Sequence, residues 1–118
     1  MERNVFYTGK IPGAWYTFCM AYIRLSKIER NALSRALADF QGEAYVFGSR
    51  IDPNKRGGDI DILLKPAKKV NRYVLKSNIV SSFGHTLEQS LDVVVFDEQS
   101  PFCQEIIKHA QPLDLARV

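Results

Sequence analysis

One segment constrains this chain more than any other, because it joins two short apolar runs through a glycine-rich loop and ends in two aspartates. The first run, residues 44–47, ends at Gly48-Ser49-Arg50, and the second begins at Asp59-Ile60-Asp61-Ile62. Residues two apart in a strand point to the same face, so Asp59 and Asp61 project together while the isoleucines between them point into a core. The segment therefore predicts a hairpin-like pair of strands with two carboxylates on one face.

These residue types favour chemistry on a nucleotide. Two like charges about 7 Å apart at their Cα atoms favour a bound cation, and hard oxygen ligands suit Mg²⁺, which substrate phosphates and waters then complete. Gly48 lets the backbone approach a phosphate and Ser49 adds a hydroxyl. Asp92 is the only carboxylate in the apolar run 91–96, where it is costly to bury alone. Each fragment also occurs in ordinary turns and half-exposed strands, so the prediction depends on their combination.

Composition sets the broad class. The 118 residues, 46% hydrophobic and 25% charged, fit one compact domain. A net charge of +3 agrees with an anionic ligand but falls short of a dedicated nucleic-acid binder. No apolar run approaches the roughly 18 residues of a membrane helix. Cys19 and Cys103 have no metal-ligand or redox spacing, which is typical of reduced thiols, so we expect a cytoplasmic protein.

The chain divides in two by composition. Residues 1–24 are rich in aromatic side chains around glycine and proline and show no helical or alternating period. We interpret them as an N-terminal extension of unclear role that packs on the domain or on a partner. Residues 25–118 have the ordered patterns expected of a single domain.

Three helices are predicted in this domain. A capping box, Ser26-Lys27-Ile28-Glu29, starts the first, and its apolar positions face a core: Ile28, Ala32, Leu33, Ala36, Leu37 and Phe40. The second spans about residues 69–82 and stops at Gly84, with its buried face formed by Val70, Tyr73, Val74 and Ser77. The third runs from Pro101 to about His109, with inward-facing residues Phe102, Cys103 and Ile106.

The central motif resembles the polymerase-β-type nucleotidyltransferase superfamily, whose signature is Gly-Ser, a spacer, Asp-x-Asp and a third acidic residue on a later strand. Here these are Gly48-Ser49, Asp59-x-Asp61 and Asp92. Within the superfamily the chain is similar to the minimal nucleotidyltransferase (MNT) family, which often continues Gly-Ser-Arg, as at Arg50. The resemblance covers Ser26 to the end of the chain. Gly58 departs from it, since the family commonly has Ser before the first Asp.

The resemblance implies a fold and a site. The fold is α/β (α+β), with a small mixed sheet of three or more strands and helices packed on one face. Asp59, Asp61 and Asp92 would hold two Mg²⁺ ions, and Asp92 would also accept the proton of the acceptor hydroxyl. Gly48 and Ser49 would hold the triphosphate, while the cations that neutralise pyrophosphate would be Arg50, Lys55 and Arg56.

The resemblance also implies a role. The expected reaction is transfer of AMP from ATP to an acceptor hydroxyl, and MNT proteins often act as antitoxins that bind a HEPN-domain ribonuclease toxin and adenylylate its tyrosine. Two alternatives stay open. The chain is a non-catalytic module that neutralises its partner by occlusion, or it transfers nucleotides to RNA or a small molecule. The second is weakened by the lack of a substrate-binding domain, and no feature indicates a membrane partner.

Overall fold

The structure, a computed structural model, describes residues 5–6, 21–55 and 58–114. Near its start, β1 (Val5–Phe6) pairs antiparallel with β2 (Ala21–Tyr22). The main sheet has the order β5-β4-β3-β6 and consists of β3 (Gly42–Phe47), β4 (Ile60–Pro66), β5 (Leu91–Val95) and β6 (Gln111–Pro112). Strand β3 is antiparallel to β4 and β6, and β4 is parallel to β5. The predicted mixed sheet and the hairpin-like pair are confirmed.

Three helices accompany the sheet: α1 (Lys27–Ala36), α2 (Arg72–Thr86) and α3 (Pro101–His109). Each begins where a side-chain oxygen accepts hydrogen bonds from orphan backbone N–H groups. The capping residues are Ser26, Asn71 and Ser100. The predicted bounds of α3 and the start of α1 at its capping box are confirmed. None of these described helices has the length and hydropathy needed to cross a membrane.

One face of the sheet forms the core against α1 and α2. Ile60, Ile62 and Leu64 alternate on this face and are fully buried, as the strand pattern predicts. They pack with Leu33 of α1 and Phe83 of α2 in one cluster. Ile23 and Leu25 belong to the same cluster. The packed domain therefore includes Ile23, slightly before the predicted boundary, while most of residues 1–24 lie outside the described part of the chain.

The predicted buried face of α2 is wrong. Tyr73 and Val74 are 84% and 53% exposed, whereas Ile79 and Phe83 are buried. Apolar residues occur all around this helix, so spacing alone does not select the face that meets the sheet. The helix also continues through Gly84 to Thr86.

Two predicted inward-facing residues, Ile28 and Phe102, are instead more than half exposed. Both lie in the first turn of a helix. Their neighbours on the same helices, Leu33 and Cys103, are buried as expected. The apolar pattern therefore located the helices correctly but extended the buried faces one turn too far.

The directions of the strands bring the residues of the sequence motif to one end of the sheet, where β3 ends and β4 and β5 begin. Strand β3 ends where β4 begins because the two are antiparallel, and β5 begins beside β4 because those two are parallel. The register aligns Phe47 with Asp61, and Asp61 with Asp92. Directly paired residues share a face, so this row lies on the face opposite to Ile60 and Ile62.

Candidate active site

The centre of the candidate site is the pair of carboxylates on adjacent strands. Asp61 and Asp92 are register partners on parallel strands, which lie about 4.8 Å apart in a sheet. Asp61 is half-buried and Asp92 is exposed. Like charges directly opposite each other in a sheet are destabilising, so this arrangement has to be compensated by a proton or by a cation.

The pKa of Asp61 reflects this repulsion between the two carboxylates. Burial raises its pKa, the charge of Asp92 and a hydrogen bond with it raise it further, and Asp59 adds to the effect. The positive charge of Arg50 opposes these contributions, and the resulting pKa is about 6. A group that holds its proton this firmly in the absence of a cation is well suited to bind one, because the cation replaces the proton.

Gly48 makes room for the Asp61 carboxylate. Its φ is 79°, in the left-handed region, and a Cβ atom added to it would lie 2.5 Å from Oδ2 of Asp61. Any side chain at this position would have to displace the carboxylate. The glycine predicted to approach a phosphate therefore also allows the turn at Gly48 and the Asp61 carboxylate to lie close together.

Gly58 closes the same loop from its other end. Its φ is 82°, and a Cβ atom there would lie 2.7 Å from Oγ of Ser49. A serine in place of Gly58, as the resemblance leads one to expect, would be strained in this backbone conformation and would collide with the Ser49 hydroxyl. The departure from the family pattern thus has a local physical reason.

Arg50 does not have the role predicted from the sequence. Its side chain is buried and all five of its N–H donors have acceptors. Nη1 and Nη2 donate to the two carboxylate oxygens of Glu29 at 2.8 and 2.9 Å. Nη1 also donates to the Arg24 carbonyl at 2.8 Å, and Nε and Nη2 donate to the Gly58 carbonyl at 3.3 and 3.1 Å. With its donors used internally, Arg50 anchors the loop instead of binding pyrophosphate.

Glu29 is the important residue that sequence reasoning missed at this site. The capping box correctly predicted its bond with Ser26, but the same carboxylate also binds Arg50 and accepts from Nε2 of Gln89 at 2.8 Å. Burial alone would raise its pKa, yet the hydrogen bonds from Arg50, Ser26 and Gln89 lower it to about 2. Glu29 therefore joins the start of α1 to Arg50 in the loop after β3 and to Gln89 in the segment before β5.

The remaining predicted residues lie around this centre. Lys55 and Asp59 are exposed, and Arg56 lies outside the described residues. In the part of the chain that the structure describes, no three His, Cys, Asp or Glu side chains stand close enough together to hold a metal ion. The structure thus brings together Gly48, Asp61 and Asp92, with Asp59 just before β4.

The residues present fit a divalent cation bound by oxygen ligands. Asp61 and Asp92 offer two adjacent carboxylates, and Mg²⁺ needs only one or two when phosphate oxygens and waters supply the rest of its octahedron. Burial and the neighbouring Asp92 raise the pKa of Asp61, which agrees with a position where positive charge is favourable. The absence of a third converging carboxylate leaves more of the coordination to a substrate.

No protein-family model and no curated protein matches the chain. Its fold is similar to that of a solved structure, a rebuilt and re-refined structure of the tri-AMPylated Shewanella oneidensis HEPN toxin in complex with MNT antitoxin. The TM-score is 0.54 at 20% sequence identity, over 75% of this chain and 71% of that chain. The chain therefore shares its fold with that structure over three quarters of its length.

Proposed function

We propose that this chain is a Mg²⁺-dependent nucleotidyltransferase that transfers AMP from ATP to an acceptor hydroxyl. One observation carries the proposal: Gly48, Asp61 and Asp92 lie together at one end of the sheet. There the turn at Gly48, which is suited to bind phosphate, lies beside the half-buried carboxylate of Asp61. A structural carboxylate is normally paired with a cation or with N–H donors, whereas Asp61 has the Asp92 carboxylate as a hydrogen-bond partner and is also affected by the charge of Asp59. Perturbed groups of this kind concentrate at functional sites.

Each residue of the site has a distinct task. The carboxylates of Asp61 and Asp92 would hold Mg²⁺, and Asp59 lies two residues before Asp61 in the sequence. The bound ion would supply positive charge to the reacting phosphate. The Gly48 backbone and the Ser49 hydroxyl bind the triphosphate. Lys55 lies in the exposed loop and contributes positive charge toward the departing pyrophosphate, as does Arg56.

The transfer itself is an in-line displacement. A bond forms between the acceptor oxygen and the α-phosphorus while the bond from that phosphorus to the bridging oxygen breaks, and pyrophosphate leaves with the electron pair. The acceptor's proton passes to the carboxylate of Asp92. Asp92 is suited to this because it is exposed while its register partner Asp61 is half-buried, so an acceptor on another molecule can reach it.

We further propose that the acceptor is a tyrosine of a HEPN toxin, for which this chain acts as the antitoxin. The support is the structural neighbour, in which an MNT antitoxin is bound to a HEPN toxin that carries AMP groups. The open position of Asp92 at the edge of the sheet agrees with an acceptor presented by a partner protein.

The test is incubation of the chain with labelled ATP, Mg²⁺ and a HEPN toxin. We expect label on the toxin, and we expect Asp61→Asn and Asp92→Asn to lower its rate by at least about 10²-fold. Asp39→Asn changes an exposed aspartate away from the site and is the matched control, with an unchanged rate. Equal labelling by wild type and the Asp61 variant would refute the proposed catalytic role.

One observation favours a second candidate, a binding module that neutralises its partner by occlusion. Asp59 is exposed and does not complete a three-carboxylate cluster among the described residues. If Asp61→Asn and Asp92→Asn neutralised the toxin as well as the wild type while transferring no label, occlusion would account for neutralisation. Loss of neutralisation together with label supports catalysis.

A further inference from the structure

We propose that a small apolar cavity beside the turn at Gly48 and Ser49 receives the adenine base of ATP. The inference rests on the proposed function and extends it to the choice of nucleotide. The cavity has a volume of about 240 Å³. This base cavity lies between the end of β3 and helix α3, and its apolar wall consists of Phe47, Ile51, Phe102 and Ile106. Gly48 also lines it.

The base cavity and the carboxylates lie on the same side of the sheet. Phe47 is the register partner of Asp61, so both side chains project from one face. Gly48 contacts the Asp61 carboxylate and lines the cavity as well. A nucleotide whose phosphates lie at Gly48 and Ser49 can therefore direct its base into the cavity without crossing the sheet.

The size and lining of the base cavity suit an aromatic base. Sites for whole drug-sized ligands have volumes of about 300–1,000 Å³, so this cavity accommodates a base and leaves the ribose and phosphates outside. Phe102 is 59% exposed although the next residue, Cys103, is buried. An exposed phenylalanine at the mouth of an apolar cavity offers a face on which a base stacks.

The rim of the base cavity is polar and offers a hydrogen-bond acceptor to the base. Glu105 and His109 line the cavity, and Nε2 of His109 lies 3.3 Å from Oε2 of Glu105. Hydrogen bonding to His109 and the charge of Lys108 lower the pKa of Glu105, so its carboxylate is an acceptor at neutral pH. The exocyclic amine of adenine is a donor that such an acceptor can bind.

The experiment compares two ligands by calorimetry in the presence of Mg²⁺: ATP and inorganic tripolyphosphate. We expect the wild type to bind ATP about tenfold more tightly than tripolyphosphate, and Phe102→Ala to lose most of that difference while binding tripolyphosphate unchanged. Phe102→Trp should retain it. Ile28→Ala, which removes another exposed apolar side chain on a different helix, is the matched control. Glu105→Ala, which removes the acceptor, should weaken ATP binding about fivefold and leave tripolyphosphate binding unchanged.

The outcomes separate the two proposals. If tripolyphosphate binds and Phe102→Ala leaves ATP affinity unchanged, the base lies elsewhere, and the base cavity is refuted while the phosphate site stands. If tripolyphosphate does not bind to the wild type, the phosphate site itself is wrong and both proposals fail. An unchanged ATP affinity in Glu105→Ala would refute the hydrogen bond between the rim and the base.

Discussion

Two carboxylates near the same guanidinium have opposite properties in this molecule. Glu29 has a pKa of about 2 and Asp61 a pKa of about 6, and the positive charge of Arg50 lowers both values. The difference lies in their other neighbours. Glu29 accepts hydrogen bonds from Ser26, Arg50 and Gln89, whereas Asp61 faces Asp92 and Asp59. A carboxylate whose hydrogen-bond partners are all present within the fold has a structural role. A carboxylate that has other carboxylates as neighbours favours binding of a cation.

The hydrogen bonds of Glu29 hold in place the segments that surround Asp61. The Glu29–Arg50 ion pair holds the loop that carries Gly48 and Ser49, and through Gln89 it holds the segment that leads into β5 and Asp92. Two adjacent carboxylates repel each other and would move apart on a mobile frame. A rigid support keeps them in position for a cation.

The largest effect should come from breaking the buried ion pair. Arg50→Ala leaves the Glu29 carboxylate without its main partner and frees the Gly58 carbonyl, so we expect the free energy of unfolding to fall by about 3–5 kcal/mol. Urea denaturation measures it. Lys108→Ala removes an exposed ion pair to Glu105 and should change stability by less than about 0.5 kcal/mol. Equal effects of the two substitutions would contradict a structural role for the Arg50 pair.

A second prediction concerns pH. Because the pKa of Glu29 is lowered on folding, its contribution is present above about pH 4.5 and is lost as the pH falls toward about 2. This contribution is about 3 kcal/mol. In Glu29→Gln this part of the acid dependence of stability should disappear. Unfolding curves measured between about pH 6 and 2.5 would reveal the difference. Parallel curves for variant and wild type would contradict the assignment.

A third prediction tests whether Asp61 awaits a cation. Mg²⁺ with ATP should raise the free energy of unfolding by about 2.7 kcal/mol at a ligand concentration one hundred times the dissociation constant. Thermal unfolding with and without EDTA measures it. Asp61→Asn should abolish the response and Asp39→Asn should retain it. A response that survives in the Asp61 variant would place the cation elsewhere.

The smallest predicted effect is a gain in stability. The raised pKa of Asp61 means that its favourable contribution, present below about pH 4, is lost as the pH rises through about 6. Asp61→Asn should therefore stabilise the metal-free protein at pH 7 by about 1 kcal/mol, after allowance for solvent screening, and have no effect near pH 3.5. Destabilisation at pH 7 would show that the Asp61 carboxylate is satisfied as it stands.

Short-range patterns predicted much of the fold and the strands that carry Asp61 and Asp92. The capping box at Ser26 predicted the start of α1, and alternation in β4 predicted the burial of Ile60 and Ile62, because both depend on residues within one turn or one strand. The fates of Tyr73 and Phe102 were not predictable in this way. Whether an apolar helix face is buried depends on what packs against it.

Sequence alone determined the order of the chemical groups in this protein: a glycine and a serine after one strand, two aspartates at the start of the next, and a third on another. Tertiary structure decided which of them meet. The Glu29 partners lie 21 and 60 residues away along the chain, and only the packing of α1 beside the sheet brings them together. Asp61 and Asp92 become neighbours through the parallel register of β4 and β5, because a local pattern specifies the face of a strand but not the strand beside it.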